Sequence, residues 1–371
     1  MTLEEYSGEP CWPLGGYSTR LMVRSMPKRS MVPKVSVFIF SLTLILLGGI
    51  LKSPSGMAAD QGTVDKAKKE GGEVLVHSVM TLDFTKPLWD AFEKHYPFLK
   101  VHQYRARTQT MVTRLLNEYR AGVYSADVLT FNDAEFELLR ANRIVESYLS
   151  SESKHFPSVF RDTGRYWTAI HFVPFSIIYN TKLVSEAEKP RGWTDLLISK
   201  WRDRIGMERY NINWYGNMLL ALGEKQGRLF MQDLAKQKPR PHDGTTLLLQ
   251  QVIWGELPLA IGRGQHTEAA KLSGAPVDWV KDINPMLAQF HVVGLARSAP
   301  HPNSARLLID FLLSGEAQVI VAESARIPTR EGIKKSPGFE SINISKLIPP
   351  DPRIREKYND YMGEYKNLFW K

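Results

Sequence analysis

The chain has little cysteine, and this scarcity excludes several kinds of site. Its 371 residues include a single cysteine, Cys11, which precedes a long apolar segment. Everything after that segment must therefore do without disulfides and thiolate metal ligands. A cysteine nucleophile is excluded there for the same reason.

Other patterns that mark catalysis or metal binding are also missing. We find no HExxH, GxSxG, P-loop, zinc-finger or heptad pattern and no internal repeat. His77, His171, His266 and His291 share no local ligand spacing, so we predict neither a metal site nor a cofactor. The net charge of +9 is modest and scattered, which favours a mixed-charge surface over a nucleic-acid partner.

The first 59 residues contain the pattern of an export signal. A stretch with five basic residues is followed by an apolar run at 35–51 and by the small residues of 55–59. This order is typical of a secretory signal peptide, with cleavage before Asp60. We therefore predict that 1–59 is a signal peptide with an upstream extension, and that the mature protein is periplasmic.

An uncleaved membrane anchor is the alternative for the same segment. As a helix, the run at 35–51 would be roughly 25 Å long. A bilayer core is about 30 Å thick, so the run would span only a thin membrane. We accordingly favour cleavage.

Strands and helices alternate through the first part of the remaining chain. Segments 73–79, 99–104 and 126–131 have the apolar character of strands, and helical periodicity separates them. Thr108 is placed to cap the second of these helices. The alternation predicts an α/β fold with a parallel sheet.

Two extended segments interrupt this alternation. Segment 166–179 is too long for one strand of a small sheet, and 290–296 is again extended. Between them, a helix at 193–201 and strands at 203–207 and 257–261 indicate a second α/β unit. We therefore predict two Rossmann-like lobes joined by a two-segment hinge.

The domain boundaries follow from these crossings. We predict a discontinuous N-terminal lobe of residues 60–172 and 292–330, and a C-terminal lobe of 173–291. A helix capped by Asn303 would belong to the first lobe. Residues 331–371 are expected to form a charged helical tail.

Five sequence segments support a resemblance to a known family. These are APHPNSARLLIDFLLSGEAQ at 299–318, RIPTR at 326–330, GAPVDWV at 274–280, WTDLLISKWRDRIGM at 193–207 and the strand start at 125–129. In this order they resemble type 2 periplasmic solute-binding proteins of ABC importers, in the ferric-iron-binding branch. The resemblance implies capture of a small solute and its delivery to a membrane permease without chemistry. A monomer is the default expectation.

The residues that bind ferric iron in this branch are matched less well than the rest of the family pattern. The iron-binding members place a histidine, a glutamate and a tyrosine pair where this chain has Thr81, Asn132 and Gly264–Gln265. These residues offer no anionic oxygen for a hard ferric ion. Tyr210 and Tyr215 are alternative sources of phenolate, so iron remains open.

The ends of predicted strands supply the candidate ligand-binding residues. In parallel α/β sheets the ligand lies beyond the carboxyl ends of the strands, near helix N-termini that favour anions. The candidates are Ser78, Thr81, Arg105, Arg107, Asn132, Tyr210, Tyr215, Arg263, Gln265 and His266. The arginines among them predict an anionic solute. Surface ion pairs for Arg105 and Arg107, and a core position for Tyr215, are the alternatives.

Two other functions fit the same residues. A membrane-anchored sensor would keep the apolar run and signal to a partner receptor. A secreted hydrolase would need a histidine and a carboxylate such as Asp133. We predict a binding protein and not an enzyme.

Overall fold

The computed structural model describes residues 60–351 and 353–370. The predicted signal segment at 1–59 lies outside the described residues. Within the part described, no helix combines the length and the apolar character needed to cross a bilayer.

The strands form one continuous, mixed sheet. In chain order they are β1 (Glu73–Ser78), β2 (Lys100–Arg105), β3 (Val128–Asn132), β4 (Val145–Glu146), β5 (Thr168–Asn180), β6 (Ile205–Glu208), β7 (Arg240–His242), β8 (Leu259–Arg263), β9 (Val277–Trp279), β10 (Met286–Ala296), β11 (Ile327–Pro328) and β12 (Leu347–Ile348). The main path through the sheet is β2-β1-β3-β10-β5-β8-β6-β7. Its two outer groups, β2-β1-β3 and β8-β6-β7, are internally parallel, as the alternation predicted.

Helices connect and cover these strands. They are α1 (Gln61–Ala67), α2 (Leu82–His95), α3 (Thr108–Arg120), α4 (Asp133–Ala141), α5 (Ile212–Leu222), α6 (Glu224–Lys236), α7 (Thr245–Trp254), α8 (Gly264–Leu272), α9 (Pro302–Leu312), α10 (Gly315–Glu323), α11 (Arg353–Glu356) and α12 (Tyr358–Phe369). Each major helix buries an apolar stripe, as α2 does with Phe84, Leu88 and Phe92. The α/β fold class predicted from the sequence is confirmed.

Strands β5 and β10 join the two parallel groups. The first half of β5 pairs antiparallel with β10, and its second half, Phe175 to Tyr179, pairs antiparallel with β8. On its other side β10 pairs antiparallel with β3. All thirteen residues of β5 are buried, which explains its uninterrupted apolar sequence. These two strands are the extended segments that the sequence singled out as crossings.

Three local predictions were wrong. The helix expected at 193–201 is a pair of short 3₁₀ segments, Trp193–Leu197 and Ser199–Trp201. Nor does Asn303 cap the helix after the second crossing, because α9 already begins at Pro302. The Glu70 carboxylate takes over the capping role and accepts the backbone N–H groups of Asn303 and Ser304 at 3.1 and 2.9 Å. Thr108 likewise is the first residue of α3 rather than its cap.

The C-terminal segment is helical, as expected, and packs on the second parallel group. Helix α12 buries Tyr361, Tyr365 and Phe369. Its Glu364 carboxylate accepts two hydrogen bonds of 3.1 Å from the Arg228 guanidinium. Lys357 reaches Glu224 at 2.7 Å. The segment therefore belongs to the same folded body as the sheet.

The predicted domain boundaries remain a prediction. The change of partner along β5, between Pro174 and Phe175, lies close to the boundary proposed at 172/173. Along β10, the pairing with β3 begins at His291, which lies close to the boundary proposed at 291/292.

We expect Glu70→Ala to lower the free energy of unfolding by about 1–2 kcal/mol, the usual value of a helix cap. Burial raises the pKa of Glu70, but hydrogen bonds from Ser304 and Asn303 outweigh it and lower the pKa from its ordinary 4.5. A depressed pKa means that the stabilisation is present above about pH 4.5 and is lost as the pH falls through the folded-state pKa.

Urea denaturation of Glu70→Ala and the parent at pH 7 and pH 3 measures this effect. Glu331→Ala, at an exposed position, is the matched control and should change stability little at either pH. An equal loss at both pH values would show that Glu70 does not act through its charge.

Candidate functional site

Two strand ends meet the β5–β10 pair from opposite sides. Asn132, the last residue of β3, lies opposite His291 of β10, which in turn lies opposite His171 of β5. Arg263, the last residue of β8, lies opposite Phe175 of β5. His171 and Phe175 are separated by roughly 13 Å at the usual rise of a strand. Residues that follow β3 and β8 are therefore brought together although they are distant in sequence.

Helix N-termini begin at these strand ends. Helix α4 follows β3 directly, and α8 follows β8 directly. Neither N-cap residue, Asn132 or Arg263, uses its side chain to cap the helix. Helix α2 begins nearby with Thr81 as an N-cap that also makes no capping bond. Free N–H groups and the helix dipole favour an anion at such ends.

Contacts with three other strands hold the Arg263 side chain in place. Its Nη1 donates to Gln289 Oε1 at 3.0 Å, and Nη2 lies 3.7 Å from Glu208 Oε2. The guanidinium carbon stands 4.0 Å from the centre of the Phe175 ring. Only 11% of its side chain is exposed. Burial lowers the pKa of Arg263, and the negative charges of Glu208 and Asp133 oppose that change.

Arg326 is a second, partly buried cation at the same place. It follows α10, and its guanidinium carbon lies 3.7 Å from the centre of the Phe84 ring. Its Nη1 donates to Ser324 O at 3.2 Å, while Nε has no partner in the part of the chain that is described. Burial lowers the pKa of Arg326 to about 10, against the opposing charge of Asp83. The side chain stays charged at neutral pH.

Three histidines near the arginines are neutral at pH 7. His171 and His291 stack with ring centres 4.3 Å apart. Burial, followed by the positive charges of Arg326 and Arg263, lowers the pKa of His291 to about 3. Burial is also the main cause that lowers the pKa of His266 to about 4, and the positive charges of the same two arginines add to it. The cations of this cluster are therefore the two arginines.

A cavity of about 570 Å³ lies near the cluster, although neither arginine and none of the three histidines lines it. One wall is the start of α4, with Asp133 and Glu135, and Phe290 lies next to them. The start of α5, Tyr210 and the C-terminal residues around Arg355 form the opposite wall. Its volume is that of a typical small-molecule site.

The predicted site residues divide into two groups. Arg263 and His266 lie in the cluster, and Asn132 and Thr81 are the N-caps of helices that start there. Gln265 is buried beside them, with an Oε1 that has no partner among the described residues. Tyr210 is 57% exposed and lines the cavity.

The structure does not bring the other four predicted residues into this cluster. Ser78 is buried, and its Oγ accepts hydrogen bonds from Thr130 and from the backbone of Met80, which is a structural role. Tyr215 is fully buried and donates its hydroxyl to Glu364 at 2.8 Å. Arg105 and Arg107 are exposed at the end of β2 and before α3. Neither ion pairs with a described residue, so the expected surface pairing is not seen either.

Sequence reasoning missed Arg326 and Glu135. Arg326 was noticed only as the first residue of the RIPTR segment, and nothing local connects it with Phe84. Glu135 carries the ordinary signal of an acidic first helical turn. Asp133 was considered, but as a catalytic carboxylate.

Comparison with known proteins supports the fold and the family resemblance. Residues 125–240 match the family model described as bacterial extracellular solute-binding protein. A periplasmic protein of Salmonella typhimurium, named for the binding of 2-aminoethylphosphonate, is 27% identical over 223 residues. That match covers 57% of this chain and 64% of the relative, so the chain is matched over less than two thirds of the relative's length.

Solved structures share the fold across most of the chain. The Trichodesmium protein IdiA (FutA), in complex with iron and citrate, has a TM-score of 0.69 at 20% identity, covering 81% of this chain and 100% of that one. AfuA of Actinobacillus pleuropneumoniae, with fructose-6-phosphate bound, has a TM-score of 0.66 at 17% identity, covering 81% and 99%. The fold is thus that of the type 2 periplasmic binding proteins. Together these findings show that the chain has the fold of the periplasmic binding proteins and that it is similar in sequence to bacterial solute-binding proteins over part of its length.

In the parent the pKa of His266 is about 4. We expect a higher pKa in Arg326→Gln, because this variant removes one of the positive charges that disfavour the imidazolium. NMR titration of the histidine ring protons measures the change. Arg202→Gln, which removes an exposed arginine side chain, is the control and should leave this pKa unchanged. An unchanged pKa of His266 in Arg326→Gln would show that the charge of Arg326 does not act on His266.

Proposed function

We propose that this chain is the substrate-binding component of an ABC importer, which captures a small anionic solute and delivers it to a membrane permease. The observation that carries the proposal is the pair Arg263 and Arg326, two largely desolvated cations beside three neutral histidines. Buried charges require a partner of opposite sign. An anionic group between the helix N-termini would supply it.

The internal carboxylates only partly balance these cations. Glu208 is 3.7 Å from Arg263 and also accepts a hydrogen bond from Thr245. Asp83 acts on Arg326, but Arg326 makes no ion pair within 4.0 Å among the described residues. Burial raises the pKa of Asp133 to about 7, so it carries only part of a negative charge at neutral pH. Positive potential therefore remains for a ligand.

The named ligands of the similar proteins are compatible with this charge. The Salmonella relative is named for a phosphonate, and the two solved structures hold iron with citrate and a sugar phosphate. Each of these ligands includes an anionic group. Within residues 60–351 and 353–370, no group of three or more His, Cys, Asp or Glu side chains is placed to hold a metal ion. Ferric iron would therefore enter this site as an anionic chelate.

The proposal includes export and a monomeric carrier. The relatives are periplasmic, and the signal pattern at 1–59 would direct this chain to the same compartment. In that setting the two sheet halves act as lobes of a hinged trap, with β5 and β10 as the hinge. Closure on a ligand requires the ligand to bind the closed form better than the open form.

We expect Arg326→Gln to weaken the binding of an anionic solute roughly 10- to 100-fold, the range that corresponds to one hydrogen bond to a charged group. Isothermal titration calorimetry with a panel of organic acids, phosphonates and ferric citrate measures it. The matched control is Arg202→Gln, which should bind as the parent does. Equal affinity in Arg326→Gln, or tight binding of a bare cation alone, would contradict the proposal.

We also expect the exported protein to begin near Ala59 or Asp60, because cleavage should follow the small residues at 55–59. N-terminal sequencing of the protein from a periplasmic extract measures this. Recovery of an intact apolar run in the membrane fraction would favour the anchored sensor.

A further inference from the structure

Two sequence segments, 189–204 and 236–240, hold most of the positive charge that the sequence analysis treated as scattered. Together they contain eight basic and two acidic residues, an excess of six positive charges. Residues 60–371 as a whole contain 42 basic and 36 acidic residues, which is the same excess of six. Outside the two segments the charges of 60–371 therefore balance.

The sheet brings the two segments to one edge. The first segment ends just before β6, the second leads into β7, and these neighbouring strands run parallel with Gly206 opposite Arg240. The backbone N–H of Asp203 donates to Gln237 O at 2.8 Å, and Gln237 Nε2 donates to Leu197 O at 2.8 Å. The segments therefore form one continuous surface at the amino-terminal ends of β6 and β7.

Five cations on this surface have no carboxylate partner. Their side chains are exposed, and none lies within 4.0 Å of a carboxylate in the part of the chain that the structure describes. The nearby acids have other contacts, since Asp233 pairs with Lys236 at 2.7 Å and Asp195 accepts the backbone N–H of Arg191 at 2.7 Å. We call the five cations the basic face: Arg191, Lys200, Arg204, Lys238 and Arg240.

A buried tryptophan supports the centre of the basic face. Lys200 Nζ lies 4.5 Å and the Arg204 guanidinium carbon 5.8 Å from the centre of the Trp201 ring. Lys200 Nζ also donates to Glu188 O at 3.1 Å. These contacts leave both cations without a counter-charge, because neither an indole ring nor a backbone carbonyl carries a negative charge. The positive potential of the face therefore extends into solvent.

The basic face lies away from the cavity. Tyr210 and Ile212, which follow the carboxyl end of β6, line the cavity, and none of the five cations does. The four residues of β6 separate the two ends by roughly 13 Å at the usual rise of a strand. A partner bound to the basic face would therefore leave the cavity open.

The apolar content of the face indicates the kind of partner. Ile198, which is 48% exposed, is the one large apolar side chain that these two described segments expose. A protein interface usually has a core of aromatic and apolar residues, which the basic face lacks. Exposed lysines and arginines around a single apolar side chain fit anionic lipid headgroups, which attract basic residues over about one Debye length.

We infer that the basic face binds the surface of an anionic phospholipid membrane. This contact holds the carrier beside a membrane by the end of β6 and β7 that is opposite to the cavity. The inference goes beyond the proposed capture of a solute and does not depend on it.

Co-sedimentation of the exported protein with lipid vesicles tests the inference. The parent should bind vesicles that contain phosphatidylglycerol but not vesicles of pure phosphatidylcholine, and binding should fall as sodium chloride is raised from about 50 to about 500 mM. Each cation near an anionic surface contributes up to roughly fivefold. The expected loss is therefore at least roughly 10-fold in the quadruple variant Lys200→Gln, Arg204→Gln, Lys238→Gln and Arg240→Gln, with smaller losses in the four single variants.

A second quadruple variant is the matched control. It removes four exposed basic side chains outside the basic face and changes the net charge equally: Lys94→Gln, Arg120→Gln, Lys154→Gln and Lys334→Gln. This variant should bind phosphatidylglycerol vesicles nearly as the parent does. Thermal denaturation should show that both variants are folded, since every substituted side chain is exposed.

Four outcomes would overturn the inference. They are absence of binding to phosphatidylglycerol vesicles at about 50 mM salt, equal binding to phosphatidylcholine, an equal loss in both quadruple variants, and binding to native membranes without binding to protein-free vesicles. The third would assign the effect to net charge, and the fourth would assign the basic face to an acidic protein. None of them would bear on solute capture, which the calorimetric titrations measure separately.

Discussion

The antiparallel pairing of β5 with β10 is the constraint on which the site depends. Both strands are long and almost entirely buried, and each pairs with a different parallel group along its length. Their register places the end of β3 and the end of β8 against the same short stretch of backbone. Helix α4 and helix α8 start there, so their N-termini and first-turn side chains approach each other. A slip of one residue would turn every side chain to the opposite face and separate this cluster.

The site brings together charges that would otherwise be hydrated. Arg263 and Arg326 stand over the Phe175 and Phe84 rings, while the carboxyls of Asp133 and Glu135 occupy the neighbouring wall. Burial raises the pKa of Asp133 and lowers that of Arg326. Both shifts favour the neutral form, because water no longer solvates the charge. A ligand that supplies the missing counter-charges would therefore interact strongly. This is the physical basis of the proposed capture of a solute.

The α/β alternation and the two extended segments could be predicted from sequence because they depend on local periodicity. Arg263 and His266 were predicted as candidates for a similar reason, since they follow a recognisable strand. Tyr215 had the same local signal, yet it packs in the core beneath α12, which lies about 150 residues further on. The capping of α9 was misjudged because its acceptor is Glu70, more than 230 residues away. In both cases the partner is one that proximity in sequence does not reveal.

The amino-acid sequence by itself determined the order of strands and helices, the apolar faces that pair them and the scarcity of cysteine. Only the tertiary structure decided which polar side chains lie close together. Arg326 joins Phe84, and Glu135 comes within range of Arg263, through packing of elements that are far apart along the chain. The reason is that hydrophobic periodicity is set by neighbouring residues, whereas the pKa and the partner of a buried charge are set by whatever the fold places around it.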